Sequence, residues 1–328
     1  FVEAIVNQLK NNMNPPQLII LVFFCLIWIG AFLLMLPVSA ANGNSIGFLD
    51  ALFTATSAIC VNGLVVVDTG TTFSLFGQIV IMIWIQIGGL GFMTFGVMVA
   101  IILGKRIGLK QRLVLQQTTN SSSAHGLVRL TLYMVFIALT FEILGSLILA
   151  LRWHTDMGWS QAFYYALFHS VSAFNNAGFT LWSDSLSTFV GDPVVNVTIL
   201  LLFAIGGLGY IVIVDLVRKR SWKKLSLHSK VVLMASAILT VFGFLMLMLL
   251  EVWNPATFGQ LSGNERLYAA LFQGATPRSA GFNTIDIGSM LTASQFLIII
   301  LMFIGAASGS TGGGRFGIGG FSGCAICT

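Results

Sequence analysis

Charge is scarce in this chain: Lys, Arg, Asp and Glu make up 8% of its 328 residues, while 56% are hydrophobic. A soluble domain carries roughly 25% charged residues, so too little charge is present to clothe a water-facing surface. That scarcity excludes intrinsic disorder, a nucleic-acid-binding domain and an ordinary cytosolic enzyme. Cysteine is rare too, and four residues in a chain of this length exclude a disulfide scaffold. The four histidines are isolated, with structural or surface roles expected, and no Ser/His/Asp, paired-carboxylate or HExxH constellation supports catalysis. What the chain has instead is long apolar runs.

A helix needs about 20 apolar residues to cross a bilayer core. Residues 18–36, 69–104, 193–214, 231–250 and 287–314 are uncharged, and 130–151 is interrupted by Glu142 alone. Six long segments follow. Between the members of each pair lie the shorter apolar stretches 48–59, 159–174 and 267–276. These are too short to span and read as re-entrant or half-depth segments.

Orientation follows from where the bases sit. Of the 16 Lys and Arg, Lys10, Lys105, Arg106, Lys110, Arg112, Arg129, Arg218, Lys219, Arg220, Lys223, Lys224 and Lys230 fall on one set of segment ends. Of the 11 acids, Asp50, Asp68, Asp156, Asp184, Asp192, Glu251, Glu265 and Asp286 fall on the opposite side, together with the short segments. The basic side is expected to be cytoplasmic in a multi-pass plasma-membrane protein, with lipid headgroups attracted to its loops. The formal charge of +5 is thus a topology signal, and no nucleic-acid partner is expected.

The chain also repeats itself. Ala51-Leu52-Phe53, Ala166-Leu167-Phe168 and Ala270-Leu271-Phe272 each precede a glycine by eleven or twelve places: Gly63, Gly178 and Gly281. Each glycine is followed by an apolar residue and then by Asp68, Asp184 or Asp286. Each later long segment reaches a small-residue cluster, at Gly88-Gly89, Gly206-Gly207 and Gly305-Ala306-Ala307. The glycine pairs read as helix-packing surfaces. The unit is long helix, half-helix, glycine-bearing loop, long helix.

A half-helix stopping in mid-membrane points its carbonyls and its negative dipole end toward the centre. Non-helical backbone at that depth is tolerated where it lines a water-filled path. Glycine permits backbone that turns carbonyls inward, and rings of carbonyls replace a cation's hydration shell. The unit therefore reads as one quarter of a cation pore.

The loops Thr56–Leu64, Ser172–Phe179 and Ala275–Thr284 resemble the filters of the Trk/Ktr/HKT superfamily of potassium transporters, and within it the membrane subunits of bacterial Ktr systems. The resemblance covers about residues 18–314. It implies an all-α integral membrane protein of tandem helix–pore half-helix–filter loop–helix repeats around a central cation pore. One filter glycine per unit is implied (Gly63, Gly178, Gly281), flanked by carbonyls of Val61, Asn62, Asn176, Ala177, Ser279 and Ala280. Potassium is then held by filter carbonyls only. A serine at the first glycine goes with sodium permeation in that family, so Gly63 favours potassium.

The family also implies a gating loop below the filter, in the place of Gly305, Ala306, Ala307, Ser308, Gly309, Ser310, Thr311, Gly312, Gly313 and Gly314. Bottom-up, so many small residues cannot hold a stiff helix, since each glycine costs about 1 kcal/mol relative to alanine. Homodimers are implied, each protomer with its own pore. So is a cytoplasmic ring of RCK-type regulatory subunits binding ATP or ADP, docked on the loops 105–112 and 218–230. The chain carries no ATP-binding motif, so nucleotide control acts in trans and no organic cofactor is expected. Potassium is the transported ion, with sodium dependence implied by family alone. The expected organisation is an N-terminal cytoplasmic segment (1–17), pore repeat 1 (18–104), a linker with pore repeat 2 (105–217), a linker with pore repeat 3 and the gating loop (218–314), and an unassigned tail (315–328). Alternatives are a sodium-permeable relative of the same superfamily or a membrane solute transporter of another class.

The family has four units, and a fourth filter glycine is expected roughly 100 to 115 residues past Gly281 if the repeat continues. Only 14 residues follow Gly314, so three repeats are visible and the chain is expected to represent part of a longer protein. Glu142, mid-helix, is either functional or a hydrogen-bonded acid packed between helices. Arg278, three places before a filter glycine, is expected to pair with a neighbouring acid behind the filter and to brace the loop. Gly312-x-Gly314-x-x-Gly317 lacks any βαβ context, and Cys324-x-x-Cys327 lacks a second ligand pair. Asn196-Val197-Thr198 lies inside a span, where it is not a glycosylation acceptor.

Overall fold

The computed structural model describes residues 15–102, 127–307 and 310–311. Among them the protein is helical, with a single isolated bridge between Ala40 and Phe73 and no β-strand. Apart from the single turn Thr69–Thr72 and short 3-10 turns, the helices are α1 (Pro15–Met35), α2 (Phe48–Ile59), α3 (Leu75–Ile102), α4 (Leu127–Met157), α5 (Trp159–Phe174), α6 (Pro193–Leu208), α7 (Tyr210–Lys219), α8 (Leu227–Glu251), α9 (Gly263–Ala275) and α10 (Thr292–Ile304).

Lipid-facing stripes are plain on the long helices. Phe136, Leu139, Ile143, Leu147 and Leu151 lie on one exposed face of α4, and Ile238, Val241, Phe242, Leu245 and Leu249 on one of α8. In water such faces would be untenable; in a bilayer they meet a solvent as apolar as themselves. The short helices α2, α5 and α9 pack on the long helices that precede them, α1, α4 and α8. Cores are shared between neighbours. The first takes Phe168, Val171, Ala177 and Phe179 from the second unit, and the next takes Phe272, Ala275, Ala280 and Phe282 from the third.

The uncharged runs do not become six uninterrupted spans. Among the described residues, Leu132–Met157 and Leu227–Glu251 are long and apolar enough to cross alone, and the bent pair Pro193–Leu208 and Val212–Lys219 makes a third. The interruptions are glycines in the left-handed region: Gly91 at φ 76° inside α3, Gly209 at φ 84° between α6 and α7, and Gly305 at φ 68° after α10. At Gly209 the chain bends by 97°. The sequence predicted such a break in the third unit only.

The glycine pairs have the packing role read from the sequence. A Cβ on Gly88 would lie 2.1 Å from the Ile59 carbonyl oxygen, and one on Gly206 would lie 1.9 Å from that of Phe174. These carbonyls end α2 and α5, so each half-helix rests its last turn on a glycine of the following long helix. Gly206→Val should therefore cost about 1–3 kcal/mol by overpacking. Gly207→Ala, whose Cβ would meet nothing nearer than 3.5 Å, should be tolerated. Thermal unfolding of the two variants in detergent checks the contrast.

Candidate functional site

The three loops after the half-helices share a backbone design. α2 ends at Ile59, Cys60 caps it, Val61 turns to φ 54° and Gly63 to φ 70°. α5 ends at Phe174, Asn175 caps it, Asn176 turns to φ 59° and Gly178 to φ 72°. After α9 a 3-10 turn, Thr276–Arg278, leads to Gly281 at φ 77°. A non-glycine residue in the left-handed region is uncommon and persists where its surroundings hold it.

Local bonds do the holding. The Asn62 N–H donates to the Ser57 carbonyl at 2.9 Å, that of Ala177 to Ser172 at 2.8 Å, and that of Ala280 to Thr276 at 3.0 Å. The hydroxyls of Ser172 and Thr276 reach over the loops to the carbonyls of Phe179 and Phe282, at 2.8 and 2.9 Å. Ser57, in the matching place, keeps a buried hydroxyl without a partner.

The loops lie side by side in chain order. A Cβ on Gly63 would lie 2.3 Å from the Ala177 carbonyl oxygen, and one on Gly178 would lie 2.5 Å from that of Ala280. One on Gly281 would meet only the Cα of Gly178, at 3.8 Å. Val61, Asn176, Ala177 and Ala280 are buried, while Asn62 and Gly281 are exposed. The structure thus brings all nine candidate filter residues into one cluster.

Of the candidate gate, Gly305, Ala306, Ala307, Ser310 and Thr311 are described, and Ser308, Gly309, Gly312, Gly313 and Gly314 lie outside the described residues. The segment runs beside the second loop. Ala307 N–H donates to the Gly207 carbonyl at 3.1 Å, and Thr311 N–H reaches that of Gly206 at 3.4 Å. The Thr311 hydroxyl donates to the Phe174 carbonyl at 3.0 Å and accepts from Asn176 Nδ2 at 3.0 Å. Asn176 Oδ1 accepts from the Ser279 hydroxyl at 2.8 Å. Asn176 therefore joins the third loop to the segment below it through side-chain bonds. A sequence offers no signal for such a bridge beyond the polarity of Asn176 and Thr311 in apolar surroundings.

Other sequence expectations meet mixed outcomes. Among the described residues Arg278 has no acid beside it: Nη1 donates to the Ser236 carbonyl at 3.2 Å and Nη2 to the Thr240 hydroxyl at 2.9 Å, both on α8. One helix carbonyl and one hydroxyl take the two terminal nitrogens, Nε is left without a partner, and a second buried charge would add its own desolvation cost. His169 is structural, its Nδ1 on the Tyr165 carbonyl at 2.7 Å and its Nε2 accepting the Leu181 N–H at 3.3 Å. The outer acids serve chiefly as caps. Asp68 accepts from Gly70 and Thr71, Asp192 from Val194 and Val195, and Asp286 from Gly288. The hydroxyl of Ser289, then the Gly288 N–H, hold the Asp286 carboxyl below the usual carboxylate range. Asn196 also caps, donating to the carbonyls of Phe189, Val190 and Asp192. The motifs at 312–317 and 324–327 lie outside the described residues.

Short helices that end in glycine loops set side by side, packed on long helices with exposed apolar faces, are the architecture of a helical membrane transport protein. The chain belongs to the TrkH family of cation transport proteins, whose family model matches residues 7–315. It is 47% identical over 303 residues to the Ktr system potassium uptake protein B of Bacillus subtilis, covering 92% of this chain and 68% of that protein. The protein of the same name from Vibrio alginolyticus is 45% identical, over 93% of this chain and 67% of its own length. The potassium/sodium uptake protein NtpJ of Enterococcus hirae is 38% identical, over 94% of this chain and 69% of its own. The crystal structure of the potassium transporter TrkH from Vibrio parahaemolyticus shares the fold at a TM-score of 0.66 and 21% identity, covering 90% of this chain and 57% of that one. These relatives are transporters, and the chain is read as a membrane transporter and not an enzyme.

Two effects separate at the glycines. Gly43 is left-handed (φ 73°) with open space around it, so Gly43→Ala should cost only the left-handed penalty of about 1–2 kcal/mol. Gly178→Ala adds the clash with the Ala280 carbonyl and should cost clearly more. Unfolding of both variants in detergent measures the difference, and equal costs would mean that the loops are not packed as described.

Proposed function

We propose that the protein is the potassium-translocating membrane subunit of a bacterial Ktr-type uptake system. The observation that carries this reading is the row of left-handed glycines, Gly63 and Gly178 each lying against the next loop's carbonyl. Potassium is dehydrated by carbonyls of Val61, Asn62, Gly63, Asn176, Ala177, Gly178, Ser279, Ala280 and Gly281. Such carbonyls replace hydration oxygens, and half-helix dipoles favour a cation below them. Potassium, and sodium where uptake is coupled to it, are substrates. The repeats run over residues 18–104, 105–217 and 218–314, after a cytoplasmic segment, 1–17; residues 315–328 carry no assignment in this scheme. The names of the relatives, two of them potassium uptake proteins of Ktr systems, support the substrate. A glycine at position 63 favours potassium over the sodium-permeable alternative that the potassium/sodium relative represents.

In this reading Gly305–Gly314 is the gate. Assembly is as a homodimer, and a cytoplasmic RCK-type ring binding ATP or ADP acts on the basic loops 105–112 and 218–230. On the second loop, Lys219 pairs with Asp215 at 2.6 Å, and Asp215 accepts from Ser226 N–H and Ser229 Oγ, which stiffens the proposed docking face.

Growth of a potassium-uptake-deficient bacterium at low potassium tests the function. The intact transporter, with its regulatory subunit, should rescue growth, and Gly63→Ser should admit sodium; absence of rescue by the wild type would sink the proposal. For the gate, Thr311→Val removes two hydrogen bonds of about 1 kcal/mol each, so basal potassium flux should rise by up to roughly thirtyfold. Flux equal to wild type would count against Gly305–Gly314 as the gate.

A further inference from the structure

Three places before each filter glycine stands a different side chain: Cys60, Asn175 and Arg278. Cys60 and Asn175 cap their half-helices with nearly the same backbone, at φ −79°, ψ −2° and φ −78°, ψ 0°. Their surroundings differ. Cys60 is exposed, whereas Asn175 is fully buried. The two N–H groups of Asn175 Nδ2 are shared among three acceptors, Gln86 Oε1 at 2.8 Å, Glu142 Oε1 at 3.0 Å and the Val171 carbonyl at 2.9 Å. Gln86 Nε2 donates in turn to Glu142 Oε2 at 3.1 Å. Side chains from α3, α4 and the end of α5 thus close a triangle in which each touches both others.

The triangle is built into the fold. A Cβ on Gly89 would lie 2.1 Å from Asn175 Oδ1, so α3 leaves a space that the carboxamide fills. The Ser170 hydroxyl donates to the Glu142 carbonyl at 2.6 Å, fixing α4 on α5 at the same level. Glu142 is buried between helices, where an acid is expensive. Both its oxygens are spent on the residues that flank the second loop.

The third unit uses a related device with other chemistry, Arg278 reaching Ser236 and Thr240 of α8. In both units the side chain three places before the glycine is tied to that unit's first long helix. Directly after Asn175 the chain must enter the left-handed region at Asn176, φ 59°, a conformation that needs its neighbours to over-determine it. Asn175 is such a neighbour, held through Nδ2 although its buried Oδ1 has no partner.

We infer that Glu142 is a positioning residue for cation selection: with Gln86 it holds Asn175, and through Asn175 it sets how the loop segment Asn176–Gly178 enters the pore. This role rests on the reading of the glycine loops as the filter. It is tested with the intact transporter in the uptake-deficient bacterium. The readouts are KM for potassium, maximal rate per transporter in the membrane, and inhibition of uptake by sodium.

Glu142→Leu and Asn175→Ala should each raise the KM for potassium about tenfold, the usual scale for losing an outer-shell partner of an ion site. Sodium should compete better in both, and the maximal rate should fall less than the KM rises. Glu142→Gln keeps one oxygen that can accept from Asn175 but sets its NH2 against the Gln86 NH2, so its change should lie between wild type and Glu142→Leu. The double variant should be no worse than either single one, because the two residues act through one another. A merely structural role would lower the amount of transporter and leave KM and sodium competition alone. If Glu142→Leu does not reach the membrane, Asn175→Ala carries the same test. Wild-type KM and sodium competition in these variants, while Gly178→Ser changes or abolishes uptake, would overturn the role of Glu142. Gly178→Ser without effect would instead bring down the filter reading itself.

Discussion

The structure depends on ending a short helix inside an apolar helical bundle. Backbone N–H and C=O groups there have no water to turn to, so each half-helix must end with its polar groups placed on something. At α2 and α5 the last turns rest on Gly88 and Gly206, close enough that a methyl group would collide with the carbonyls of Ile59 and Phe174. The loop N–H groups fold back onto Ser57, Ser172 and Thr276. Once those contacts exist, the loops can take left-handed backbone, and once they take it, neighbouring loops can approach to within contact of one another's carbonyls. Removing the glycine seats would separate the half-helices from the long helices on which this chain of contacts rests.

Chain order and spatial order coincide because of that approach. The core around α2 is completed by Phe168 and Phe179 of the next unit, and the core around α5 by Phe272 and Phe282 of the one after. Units therefore pack against their neighbours' loops, and the packing of one cannot be altered independently of the geometry of the next. A side chain that loosens one half-helix also loosens the neighbouring loop.

Much of this was legible in the amino-acid order. Two of the half-helices end at Ile59 and Phe174, where the apolar stretches end, because a change from helix to glycine loop is also a change in composition. The glycines at 63, 178 and 281 stood out for the same reason: a left-handed position needs a residue that few others can replace. The bends at Gly91 and Gly209 were not legible, since apolar residues continue on both sides of them and a glycine in such a run also serves packing. The partners of Arg278 were hidden too. Nothing in sequence distinguishes a carbonyl or a threonine hydroxyl as a guanidinium acceptor from the acid that a charge count would suggest. Asp68, Asp192 and Asp286 were visible as outer acids, but their side chains chiefly cap the turns that begin the second helices.

The scarcity of charge takes on a sharper meaning from these placements. Among the described residues, the polar side chains that remain at depth gather around the second and third loops: Glu142 and Gln86 behind Asn175, Arg278 against α8, and Asn176 between Ser279 and Thr311. Each costs desolvation and each is answered by hydrogen bonds across elements, so the polar groups act as joints between helices that apolar contact alone would let slide. Lipid supplies no hydrophobic force to press helices together, and interhelical hydrogen bonds carry part of that burden. The first loop has Cys60 and an unpartnered Ser57 hydroxyl where the others have joints. The loops are thus unequal by construction, two of them tied to their own long helices and one held by its neighbours. A displacement of the segment at Thr311 would meet resistance first at Asn176, which among the described residues is bonded both to Thr311 and to Ser279 in the third loop.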